Sequence, residues 1–148
     1  MLTKEKLMLF CDFDNGIERI NRPWSKGNFT YSTDGYIIVR VDRDPEFGEK
    51  ENAPDAEKLY NRNPSPLEWF GIPELLELKF CICQKCGGKK QIEEAVFETT
   101  EINGCNFQNK YLRFLKELPN CKISPINKDN PAWFKFDGGD GLLMPCLK

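Results

Sequence analysis

The side chains best suited to chemistry in this chain are thiols. Cys81, Cys83 and Cys86 lie close together, and Cys86 is followed by Gly87-Gly88. The Cys-x-x-Cys spacing of Cys83 and Cys86 lets two thiolates meet one metal ion, and the glycines let backbone amides approach the sulfurs. Cys81 is near enough to serve as a third ligand. A structural zinc takes four ligands, and the sequence offers Cys105, Cys121 or Glu93 for the last place. One structural zinc is therefore one expectation, and free thiols in a loop are the other. The cysteines number seven. An odd count and no apolar leader point to reduced thiols in a cytoplasmic protein, not to a disulfide framework. Cys11 and Cys146 sit among apolar residues and are expected as small buried hydrophobes.

An absence limits the remaining chemistry. The chain has no histidine. Ser-His-Asp and Cys-His nucleophile pairs cannot be built within it, nor can HExxH or His-containing deaminase zinc sites. Carboxylate, lysine or tyrosine acid–base chemistry remains open, but no paired-carboxylate motif is present. The sequence therefore reads as a non-enzymatic binding protein with no evident small-molecule substrate.

The elements that must position these residues fit one domain over 1–148. Hydrophobic residues make up 40% and charged residues 30%, the balance of a globular chain. The net charge of −2 excludes a strongly basic nucleic-acid binder but not a local basic face. No apolar run approaches membrane-spanning length, so no membrane partner is expected.

Thr3 is placed to cap a helix over 2–13. Asp14-Asn15-Gly16 signals a turn, and 17–20 reads as a further helical turn. Residues 29–33 and 37–42 alternate as two strands around Thr33-Asp34-Gly35, the strongest hairpin signal in the chain. One face of that hairpin reads as core and the other as mixed. Residues 44–90 read as an irregular insertion, with many prolines, a short helix near 55–60, Trp69-Phe70 as an anchor and the cysteine cluster at its end. Leu75 to Phe80 is strand-like, and so is 92–102. Asn103-Gly104 is a turn. Phe107 to Leu118 reads as a helix with an apolar face of Tyr111, Leu112, Phe114, Leu115 and Leu118, stopped by Pro119. Three strands follow, over 122–126, 133–137 and 142–147, with 137–140 turning the last hairpin. The pattern is α+β: an antiparallel sheet packed on two helices.

Three segments resemble parts of the bacterial sliding clamp, the β subunit of DNA polymerase III. They are Thr33-Asp34-Gly35 with its flanking strands, Asn106 to Leu112 with Leu115 and Leu118, and the tail Gly141 to Lys148 with its Met144-Pro145. The chain also resembles short phage and prophage proteins of unassigned activity. That likeness is carried by Pro23 to Gly35, Ala53 to Leu59, the Cys-rich middle and Phe136 to Pro145. The resemblance implies a single DNA-clamp-like domain and a cytoplasmic role in phage DNA replication, through contact with a protein partner, self-association or weak DNA contact. In the clamp, the two strand stretches come from neighbouring domains and frame a pocket for partner peptides. Carried over, the pocket residues are Thr33, Gly35, Tyr36, Ile38, Leu142, Met144 and Pro145. Because one domain supplies both stretches here, the resemblance implies a pocket across a subunit contact. It also turns a helix toward DNA, which assigns Lys110, Arg113 and Lys116 to phosphates. A small zinc-binding regulatory or nucleic-acid-binding protein, acting through Cys81, Cys83 and Cys86, is the alternative function.

Overall fold

In a computed structural model the described residues are 2–12, 17, 20–75, 80–82, 89–91 and 98–146, with 80–82 and 89–91 described by backbone alone. The expected turn at 14–16, the strand stretches at 76–79 and 92–97, Cys83, Cys86 and Glu93 lie outside them. So does the side chain of Cys81.

The elements are α1 (Lys4–Met8), β1 (Trp24–Lys26), β2 (Phe29–Thr33), β3 (Ile37–Asp42), α2 (Ala56–Arg62), β4 (Phe70–Gly71), β5 (Phe80–Ile82), β6 (Lys89–Gln91), β7 (Thr99–Ile102), β8 (Cys105–Gln108), α3 (Asn109–Lys116), β9 (Lys122–Ser124), β10 (Ala132–Phe136) and β11 (Gly139–Leu143). A seven-stranded antiparallel sheet runs β1-β2-β3-β11-β10-β9-β4, with two-stranded ribbons β5-β6 and β7-β8 beside it. This is a mixed α+β fold with its sheet packed against helices.

Local chemistry sets the turns. Asn103 and Gly104 both have positive φ (49° and 81°), as a two-residue hairpin matched to strand twist requires. Gly138 at φ 105° closes β10-β11. Thr3 caps α1 as expected, its hydroxyl accepting from the Lys6 amide, and α1 ends at Met8 rather than near 13.

One expectation needs correction. Phe107 begins no helix: it lies in β8, fully buried, and α3 starts at Asn109. The apolar spacing of 107–118 is compatible with both, because a strand residue next to an amphipathic helix extends its stripe. The stretch 44–90 contains the expected short helix and a two-residue strand at Phe70. Its α2 covers the sheet, and its β4 is the edge strand beside β9.

The sheet is buried on both faces over much of its width. On the first face Ile37, Val39, Val41, Phe134, Phe136 and Leu143 pack under Leu7 and Phe10 from the α1 region and Tyr111, Leu112 and Leu115 of α3. On the second, Trp24, Tyr31, Ile38 and Leu142 pack under Ala56 and Tyr60 of α2. The mixed face read from the sequence is thus half covered.

β11 sits at the centre of the sheet despite two glycines. Phe136 and Phe134 lie directly opposite Gly139 and Gly141. A Cβ at Gly141 would collide with the Phe134 ring and the Ile38 carbonyl, and one at Gly139 with the Arg40 carbonyl and Phe136. The aromatic rings fill what the glycines leave open.

Candidate functional site

The hairpin at Thr33-Asp34-Gly35 is held by its own side chains. The Thr33 hydroxyl donates to the Ile37 carbonyl at 2.7 Å and accepts from the Gly35 amide at 3.0 Å. One Asp34 oxygen accepts from the amides of Tyr36 and Ile37 at 2.9 and 3.1 Å. The other accepts from the Tyr111 hydroxyl of α3 at 2.6 Å. Gly35 takes φ 100°, which favours glycine. The turn is therefore pinned to the helix packed beside it. Burial, then the bond to Asp34, raises the Tyr111 hydroxyl above its ordinary value and keeps it a donor.

The structure brings the two stretches of the expected pocket together within one chain. β11 pairs with β3 so that Leu142 faces Ile38 and Leu143 faces Ile37. One step further the Met144 amide donates to the Tyr36 carbonyl at 2.9 Å. No subunit contact is needed to join them. The reason is topological: β11 inserts between β3 and β10.

The seven expected pocket residues divide by exposure. Thr33, Ile38, Leu142 and Pro145 are buried and serve the sheet. Gly35 is exposed, and Tyr36 (62%) and Met144 (40%) are exposed large apolar side chains. Strand alternation puts Tyr36 and Met144 on the same face as Ile38 and Leu142. They form an open rung at the end of the second core.

At the other end of that face lies a charged group that the sequence reading missed. Arg40 donates to both oxygens of Asp140, at 2.9 and 2.7 Å. Its guanidinium lies 4.0 Å from the Tyr60 ring centroid and 4.7 Å from that of Phe29. A small cleft of about 180 Å³ adjoins it, bounded by Phe29, Asp42 and Gly138 to Asp140. The available signal was one arginine set between two valines in a strand that is apolar up to Asp42.

The three expected DNA contacts differ in their surroundings. Lys116 donates to Glu74 at 2.7 Å and approaches the Ile72 and Pro73 carbonyls at 3.3 and 3.5 Å. Arg113 is half-buried and partnered. Lys110 is exposed, its ammonium 5.4 Å from the Tyr111 ring centroid.

Of the cysteines, Cys105 is in the core and Cys121 packs against it. Burial raises both thiols, Cys121 up to about 12. Both sit as small apolar groups in or against the core. Cys11 is buried with its sulfur 3.0 Å from the Ser32 hydroxyl. Cys146 is half-buried, not fully buried as expected, and its amide donates to the Asn106 carbonyl. Among the described residues no group of His, Cys, Asp or Glu is arranged to hold a metal ion. No described helix is long and apolar enough to cross a membrane.

No protein-family model matches the chain, no curated protein is found similar to it in sequence, and no solved structure is found similar to it in fold.

Proposed function

We propose that this protein is a non-enzymatic, sliding-clamp-like binding module, an accessory of phage DNA replication that captures a partner protein at the Tyr36–Met144 rung. The observation that supports this reading is the pairing of β3 with β11, continued by the Met144 to Tyr36 hydrogen bond. It joins an exposed aromatic ring and an adaptable thioether at the end of a rigid sheet, where a partner's apolar side chain can be covered. Gly35 beside them leaves room for a backbone to approach.

The chain has three methionines, so a methyl-labelled spectrum is simple, and Met144→Leu assigns its signal. Titration with a short peptide carrying leucine and phenylalanine anchors is expected to shift the Met144 methyl and leave Met8 unmoved. Tyr36→Ala is expected to abolish the shift. A Met144 signal that does not move, or moves equally in Tyr36→Ala, contradicts the reading.

A zinc-dependent reading has one supporting observation. Strands β5 and β6 pair with Cys81 opposite Lys90, so the chain segment holding Cys83 and Cys86 connects two paired strands. The donors there are three thiols, the ligand type of structural zinc sites. Cys105, Cys121 and Glu93 are the candidates for a fourth ligand. Metal analysis of protein purified without added zinc tests this: a stoichiometric content supports it, and metal-free protein with an unchanged fold contradicts it.

A further inference from the structure

The half of the second sheet face that α2 leaves open carries an unusual charge pattern. Across β3, β11, β10 and β9 the register aligns Arg40, Asp140, Lys135 and Lys122 in one row. Arg40 and Asp140 neutralise each other through their paired hydrogen bonds. Lys135 and Lys122 remain directly opposite one another, both exposed. Like charges so placed destabilise a sheet, and among the described residues neither lysine has an ion-pair partner. The chain as a whole is acidic, at −2, so this basic pair departs from the average surface.

An aromatic ring stands at the same place. Trp69 precedes β4, beside β9, and the Lys135 ammonium lies 4.2 Å from its ring centroid. At the far end of the row Phe29 lies under Arg40. Other acids near the row include Asp42, two residues along β3 from Arg40, Asp137, two residues beyond Lys135, and Glu68, next to Trp69 in sequence. At about 4.8 Å per strand the row extends roughly 14 Å, enough for a short extended segment.

Basic groups beside aromatic rings on an open sheet face suit single-stranded nucleic acid: ammonium groups take phosphates and rings take bases, without sequence readout. We propose that this face binds single-stranded nucleic acid, with phosphates at Lys122 and Lys135 and a base against Trp69. Charge complementarity selects this occupant. The site is independent of the Tyr36–Met144 rung and of α3, so either proposal stands if the other fails.

The test is anisotropy of a labelled oligothymidylate against salt. Two neutralised phosphates at about 0.7 each predict a slope of log K against log salt near −1.4. Lys122→Ala and Lys135→Ala each are expected to bring it to about −0.7. Trp69→Ala is expected to weaken binding on the order of ten- to a hundredfold, and Trp69→Phe to restore most of it. Thermal melting is expected to show Lys122→Ala at least as stable as the parent, since it relieves repulsion with Lys135. Absence of salt-sensitive binding overturns the proposal. So does a slope unchanged by both lysine substitutions, an affinity unchanged in Trp69→Ala, or equal affinity for a duplex of the same length. Loss of binding on Lys110→Glu alone, with the face variants unaffected, would transfer the contact to α3 and also overturn it.

Discussion

Gly141→Ala is expected to be among the most destabilising small substitutions in this chain. The added Cβ would fall against the Phe134 ring on one side and the Ile38 carbonyl on the other. The carbonyl belongs to the backbone of β3, so relief requires moving either a fully buried ring or a central strand pair. Alanine would otherwise be favoured over glycine in a strand interior by about 0.5–1 kcal/mol. Overpacking costs about 1–3 kcal/mol, and expelling a buried phenylalanine approaches the ~3–5 kcal/mol of its deletion. The collision dominates, and a net loss of about 3–4 kcal/mol follows. At roughly 2–4 °C per kcal/mol for a domain of this size, the melting temperature falls by about 6–16 °C. Urea and thermal denaturation measure it. Gly71→Ala is the control, because nothing lies within 4 Å of its Cβ position; it should be neutral or slightly stabilising. Phe134→Leu in the Gly141→Ala background should recover part of the loss. Parental stability in Gly141→Ala, or an equal loss in Gly71→Ala, would refute the packing argument and the register that places Met144 beside Tyr36.

Removing Asp140 leaves the Arg40 guanidinium uncompensated between Phe29 and Tyr60, and removing Arg40 leaves the half-buried Asp140 carboxylate without its partner. Arg40→Ala and Asp140→Ala should each cost about 1–3 kcal/mol, less than a fully buried pair because of solvent screening, and a double-mutant cycle should return a favourable coupling; strictly additive losses would contradict this. Alkaline stability should decline in steps. The Cys121 thiol is raised from 9.0 to about 12, so between those values the unfolded chain has lost a proton that the folded chain retains. Stability is therefore complete below pH 9 and falls as pH rises to 12, at most about 1.4 kcal/mol per pH unit for one group. Cys121→Ala should flatten that part of the profile, and an unchanged slope between pH 9 and 11 would contradict the assignment.

Much of the local structure was legible because turn chemistry is local. Thr33-Asp34-Gly35, Asn103-Gly104 and the Asp137-Gly138 turn each announce a hairpin through residues that tolerate positive φ or cap their own amides. The sheet order was not legible. Nothing near Gly139 or Gly141 signals a central strand, since the rings that complete it come from β10. β1 was missed because Trp24-Ser25-Lys26 is too short to alternate, and α2's cover depends on Tyr60 meeting Tyr31 and Trp133 across the fold. The two stretches were singled out by a resemblance, which says nothing of their exposure. Alternation on a sheet with two buried faces sends Ile38 and Leu142 inward and leaves only the ends of the strands, Tyr36 and Met144, open.

The central claim is that one chain joins these two stretches. Since Met144 and Tyr36 share a hydrogen bond, the neighbouring Ile37–Leu143 pair is the close, non-hydrogen-bonded kind whose α-protons nearly touch. An isotope-filtered NOE experiment on mixed labelled and unlabelled protein tests this directly. A strong Ile37–Leu143 α-proton contact within labelled chains, and none between labelled and unlabelled chains, is the predicted result. A contact seen only between chains, or no contact at all, would contradict the account.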